Sequence, residues 1–185
     1  TGLNVKEYTY QALRTKVSVC LQKAVLFHGT IRENLLWGKK DATEEELWEA
    51  LSIAQAKEVV DSKEGGLDYV IEQGGKNLSG GQKQRLTIAR ALVQDADVLI
   101  LDDSSSALDY ATDAGLRIAL ANMKKKMTIF MVSQRTSSIQ HADCILVLDD
   151  GKLVGKGKHD ELLKSCEVYQ EIYYSQFKKE AMANE

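Results

Sequence analysis

The 185-residue sequence predicts an α/β fold with a mostly parallel central sheet, and three observations carry that reading. Four apolar residues, Val98-Leu99-Ile100-Leu101, stand in a row between Asp97 and the pair Asp102-Asp103, which reads as a fully buried central strand. Residues 17–21 and 128–132 are Val-rich or apolar and read as two further buried strands. Between these runs lie segments with helix-start signals and helical apolar spacing. The length allows one domain with a real core, but hardly two.

Composition bounds the function class. Hydrophobic residues make up 44% and charged residues 28%, as in an ordinary globular protein. A net charge of −3 gives no general pull toward nucleic acid or an anionic membrane. The basic run Lys124-Lys125-Lys126 reads as the complement of a helix C-terminus and as solvated surface. No apolar run approaches the ~20 residues of a membrane helix. Cys20, Cys144 and Cys166 are widely spaced, and the first two fall in apolar runs, so they read as small core hydrophobes in a reducing, cytosolic setting. His28, His141 and His159 have no metal-ligand spacing with the cysteines. The chain has no proline.

Taken in order, the segment after residue 41 starts a helix with Thr43 as N-cap and Glu46 three residues on, a capping box. Leu47, Ala50, Leu51 and Ala54 form its apolar face, and Trp48, off that face, reads as half-buried. Gly65-Gly66 and Gly74-Gly75 break the following region into loops. Asn77-Leu78-Ser79-Gly80-Gly81-Gln82-Lys83-Gln84-Arg85-Leu86 is a polar, glycine-bearing turn that opens a helix over 86–92, with Ser79 at an N-cap position. Glycines lacking Cβ beside a helix N-terminus make an anion site, and phosphate is its commonest guest. Asp102 and Asp103 lie at the carboxyl end of the central strand, where open α/β sheets bind ligands. A helix is expected over 110–123, and Asp149-Asp150-Gly151 is a strong turn signal between two strands. The tail from residue 167 reads as a helix with Val168, Ile172 and Phe177 inward.

The stretch 77–86 resembles the signature motif of ABC-transporter ATPases almost letter for letter, and other segments resemble the same family. Gln22 followed by Leu26-Phe27-His28-Gly29-Thr30-Ile31-Arg32-Glu33-Asn34 resembles the Q-loop of its exporters. The run ending in Asp102-Asp103 resembles Walker B, Ser106-Ala107-Leu108-Asp109 resembles the D-loop, and Ser133-Gln134-Arg135 stands at the switch position. The resemblance implies a P-loop NTPase fold, with a helical signature subdomain over about 35–95 and a RecA-like core with C-terminal helices around it. It implies ATP and Mg²⁺ as cofactors. Asp102 and Gln22 would hold the magnesium, and Ser79, Gly80, Gly81, Gln82 and Asp109 would act on nucleotide across a dimer interface. It further implies a second nucleotide-binding domain and a transmembrane domain as partners, no nucleic acid, and a place on the cytoplasmic face of the cell membrane. His159 falls in a segment that the resemblance places away from nucleotide.

Two positions depart from the family pattern. Asp103 stands where Glu usually orients or deprotonates the attacking water, and Gln134 stands where a histidine usually contacts the γ-phosphate. The phosphate loop G-x-x-x-x-G-K-[ST] is not found, since Gly38-Lys39, Gly75-Lys76 and Gly151-Lys152 do not fit it. The chain therefore reads as an N-terminally truncated domain that begins shortly after that loop. A strand of the complete domain is then expected beside residues 97–101, leaving that edge open. The departures suggest the degenerate half of a heterodimeric exporter. A competent homodimeric ATPase, a non-transport ABC ATPase and a pure interaction module stay open as alternatives.

Overall fold

The computed structural model describes residues 4–183, with side chains through Gln176. Thr1 to Leu3, part of the stretch read above as following the phosphate loop, and the side chain of Phe177 lie outside the described residues. The chain divides into two compact units after Val132.

In the first unit, helix α1 (Tyr10–Lys16) leads into strand β1 (Val17–Cys20). A two-residue strand β2 (Gly29–Thr30) precedes α2 (Ile31–Leu36), α3 (Glu44–Ile53) and α4 (Lys57–Asp61). Strand β3 (Val70–Ile71) pairs antiparallel with β2. Helix α5 (Gly80–Val93), strand β4 (Val98–Asp102), helix α6 (Tyr110–Ala121) and strand β5 (Thr128–Val132) complete the unit. The main sheet is parallel, in the order β1-β4-β5, with Cys20 opposite Leu101 and Asp102 opposite Val132.

Helix α3 starts where its capping box predicts, and Leu47, Ala50, Leu51 and Ala54 are all buried. Trp48 is half-buried, beneath Lys57 at 5.3 Å. Helix α5 begins at Gly80, six residues before the expected start. Two glycines cost a helix about 1 kcal/mol each relative to alanine. The reciprocal bonds of Ser79 Oγ with the Gln82 N–H (3.2 Å) and Gln82 Oε1 with the Ser79 N–H (3.0 Å) offset that cost by closing the first turn.

One face of the parallel sheet is sealed. Ser18, Cys20, Leu99 and Leu101 are buried, and Ser18 Oγ donates to the Ala91 carbonyl of α5 at 2.7 Å. Leu116 and Leu120 of α6 join the same core, with Ile129 and Met131 packed against it. The alternate residues face the other way, and Val19, Phe130 and Val132 are 48%, 53% and 54% exposed. This corrects two expectations. Residues 17–21 are buried on one face only, and 128–132 are half-buried on that face, because among the described residues of this unit no helix covers the other. The strand over 97–101 does not have an open edge, because β1 and β5 pair with it on both sides.

The second unit holds α7 (Thr136–Ile139), a hairpin of β6 (Ile145–Asp149) and β7 (Lys152–Gly157), α8 (His159–Ser165) and α9 (Glu167–Ala183). Asp150 and Gly151 both have positive φ, 46° and 72°, as a two-residue hairpin turn requires. Its core is Ile145, Val147, Leu162, Cys166 and Tyr169. Here Cys144 is exposed and Cys166 buried, the reverse of the sequence reading for Cys144. Ile172 is 37% exposed and Tyr169 2% exposed, so α9 turns Tyr169 inward instead. The Tyr169 hydroxyl finds a partner in His159 Nδ1 at 2.8 Å, which lets an aromatic with a polar tip be buried.

Candidate functional site

The site grows out of strand register. β1 and β4 run parallel with Cys20 opposite Leu101, so the chains leave the sheet in step. Gln22, two residues past Cys20, meets Asp103, two residues past Leu101, and Gln22 Nε2 donates to Asp103 Oδ2 at 2.8 Å. Asp103 has φ +44°, a left-handed conformation that Asp enters more readily than most residues. Its N–H donates to the Val132 carbonyl at 2.9 Å, extending the β4–β5 ladder by one bond. Its carbonyl accepts from the Ser106 N–H at 3.2 Å and from Ser106 Oγ at 2.8 Å. Ser104 and Ser105 are buried beneath this turn. Asp102 is the last residue of β4 and is half-buried beside it.

The turn continues to Asp109, the N-cap of α6, which accepts from the Thr112 N–H (2.9 Å) and Thr112 Oγ1 (2.8 Å). These donors, the backbone N–H foremost, hold the Asp109 carboxyl below its ordinary range. The start of α5 lies against the same turn. A Cβ on Gly81 would sit 3.3 Å from the Ala107 carbonyl oxygen, whereas one on Gly80 would meet nothing within 4 Å. The capping box occupies the donors of Ser79 and Gln82, and Lys83 N–H bonds to the Ser79 carbonyl. The N–H groups of Gly80 and Gly81 are thus the ones that the helix start leaves for a guest. Gln84, buried in the next turn, reaches Cys20 Sγ at 3.6 Å, and Arg85 Nη1 donates to the Gln55 carbonyl at 2.8 Å.

Of the residues expected to act together, Gln22, Asp102 and Asp103 meet at one end of the sheet, and Ser79 to Gln82 lie against the turn that ends in Asp109. Gln134 belongs to the second unit. Its side chain is exposed, and its carbonyl accepts from Gln176 Nε2 at 2.6 Å. Among the described residues no three His, Cys, Asp or Glu gather to hold a metal. Asp102 and the Gln22 amide carry oxygen donors of the kind a hard cation takes, and the Gln22 nitrogen is taken by Asp103.

Sequence reasoning missed a groove on α5. The Phe27 and Trp37 rings stack at 4.8 Å, and the Arg90 guanidinium lies 5.8 Å from the Phe27 ring centre. Arg90 Nη2 donates to the Val25 carbonyl at 2.9 Å, while its buried Nη1 has no partner among the described residues. Ser18, Val19, Gly38, Ala91 and Gln94 line the rest. Trp37 is 69% exposed. The available signal was an aromatic just past the end of a capped helix, immediately before a glycine.

The family model described as "ABC transporter" matches residues 1–106. The chain is 42% identical over 177 residues to an ATP-dependent lipid A-core flippase of Haemophilus ducreyi, covering 95% of this chain and 30% of that protein. It is 43% identical over 176 residues to the Beta-(1-->2)glucan export ATP-binding/permease protein NdvA of Rhodopseudomonas palustris, covering 95% and 29%. A solved structure of a bacterial Atm1-family ABC exporter with ATP bound superposes with a TM-score of 0.90 at 32% identity, over 95% of this chain and 31% of that one. The chain thus spans about a third or less of the length of the proteins it matches. With the parallel sheet, the signature helix and the acid-ended strand in place, the match over residues 1–106 makes this chain a member of the ABC transporter family, with a P-loop NTPase fold.

Proposed function

We propose that the chain is part of the nucleotide-binding domain of an exporter, on the cytoplasmic face of the cell membrane, where ATP binding and hydrolysis drive transport. In this reading it is the degenerate half of a heterodimer, whose signature completes the ATP site of a partner domain. One contrast carries the proposal. The start of α5 keeps its capped glycines and free donors, while Asp103 and Gln134 depart from the family pattern at the base and switch positions.

ATP supplies the phosphoanhydride and Mg²⁺ the charge neutralisation. This chain's residues then divide by site. Asp102 and the Gln22 oxygen would hold the cation at the sheet end. Asp103 is the group that would take the water's proton, but it is one methylene, about 1.5 Å, shorter than Glu. A misplacement of about 1 Å can cost on the order of a hundredfold in rate. Gln134 offers an amide where the family has an imidazole, so it has no comparable proton-accepting nitrogen. Ser79, Gly80, Gly81 and Gln82 present the positive end of α5 to phosphate held by the partner. Asp109 faces the same interface.

Residues 35–95 form the signature subdomain in this proposal, and the rest the RecA-like core with its C-terminal helices. The groove of Phe27, Trp37 and Arg90 supports contact with a transmembrane domain, because it is exposed, aromatic and rigidly backed by α5. Similarity to a lipid A-core flippase and a glucan export protein supports the exporter reading.

The test compares ATP hydrolysis by the full-length subunit alone with that of an equimolar mixture with its partner. The proposal expects turnover only in the mixture. Equal turnover by the subunit alone would favour a competent homodimer.

A further inference from the structure

We propose that Gln22 is a positioning residue for Asp103: its amide fixes the carboxylate at the sheet end before nucleotide arrives, and the short acid is matched to it. The catalytic meaning of this rests on the proposed function; the pairing itself does not. The last paired residues of β1 and β4 are Cys20 and Leu101, and Gln22 and Asp103 each stand two residues beyond that pair. Gln22 contributes two methylenes and Asp103 one, and together they span the gap with a 2.8 Å hydrogen bond. The bond is charge-assisted, which makes it stronger than a neutral one. On its other side Asp103 is clamped, by the Val132 carbonyl through its N–H and by Ser106 through its carbonyl. The backbone therefore cannot follow if the side chain lengthens. A Glu at position 103 would push its carboxylate into the space of the Gln22 amide. It would also have to adopt φ +44°, which suits Glu less than Asp. The departure at position 103 is in this view half of a fitted pair, and Gln22 is the other half.

The experiment is hydrogen exchange on the nucleotide-free, full-length subunit assembled with its partner, read on the segment 103–108, where the N–H groups of Asp103, Ser106 and Leu108 are hydrogen-bonded. Asp103→Gly keeps the left-handed backbone without strain and removes the acceptor. It should speed exchange of that segment about fivefold, the order expected for one net hydrogen bond. Gln22→Ala should do the same, and the double variant should go no further than either single. Asp103→Asn keeps a neutral acceptor oxygen and tolerates the same φ, so it should exchange more slowly than Asp103→Gly but faster than wild type. Exchanging the lengths, Gln22→Asn with Asp103→Glu, should restore slow exchange that neither single change retains. Additive effects of Gln22→Ala and Asp103→Gly, or an Asn variant as fast as the Gly variant, would overturn the proposal. Loss of hydrolysis in the mixture would count against the proposed function and leave these exchange rates untouched.

Discussion

Asn34 is 3% exposed and uses its whole amide to close the loop ahead of α2. Its Oδ1 accepts from the Phe27 N–H at 2.9 Å, and its Nδ2 donates to the Phe27 and Thr30 carbonyls, both at 3.0 Å. With the Thr30–Glu33 capping box, these bonds give a physical reason for the string from Leu26 to Asn34. Asn34→Ala leaves those part-buried backbone groups unpaired and should destabilise the fold by about 1–2 kcal/mol. The check is a lower urea midpoint at unchanged slope. Cys20 tests the interior beside the site. Burial pushes its thiol up to about 12, so it stays protonated at neutral pH and poor as a nucleophile. A thiol reagent at pH 7.5 should label exposed Cys144 first and reach Cys20 and Cys166 only as the chain unfolds. Fast labelling of Cys20 in the native chain would contradict the packing of α5 on β1.

Helix α5 organises the elements around it, and Gly38 shows how closely. A Cβ there would stand 2.3 Å from the Arg90 carbonyl, with backbone on both sides and little room to yield. Gly38→Ala should therefore destabilise by about 1–3 kcal/mol, as overpacking does, and a thermal melt should show it. Gly80→Ala, where nothing lies within 4 Å, should melt close to wild type. Local signals at this scale were legible in the sequence. Thr43 with Glu46, Ser79 at its cap and Asp150-Gly151 at the hairpin all name their own geometry, because each acts within four residues. Burial was less legible. An apolar strand reads alike whether one face or both are covered, so the exposure of Phe130 and Val132 had no signature. The same holds for Cys144, and for the choice of Tyr169 over Ile172 on α9. The Gln22–Asp103 bond joins residues 81 apart, both just past the ends of paired strands, so neither residue announces the other.

For the whole molecule, the parallel sheet leaves Val19 and Phe130, on either side of half-buried Ile100, exposed on one face together with Val132. Contiguous apolar surface of this kind drives association. The isolated chain should elute as more than a monomer on size exclusion, and Phe130→Lys with Val132→Lys should shift it toward monomer. A wild-type chain that is monomeric at high concentration would contradict that. Under the proposed function one chain has two roles in the assembled transporter: an intact signature for the partner's ATP, and an impaired site of its own. Gly81→Asp sets a carboxylate at the helix N-terminus where phosphate must approach, and Gly80→Asp does so with no internal clash. Asp103→Asn removes the acid at the chain's own site. The direct test is turnover at saturating ATP for each variant, reconstituted with the wild-type partner and checked for folding by melting. The account predicts that both glycine variants nearly abolish turnover and that Asp103→Asn lowers it modestly. If Asp103→Asn is the more damaging change, this chain carries the working site and the account is wrong.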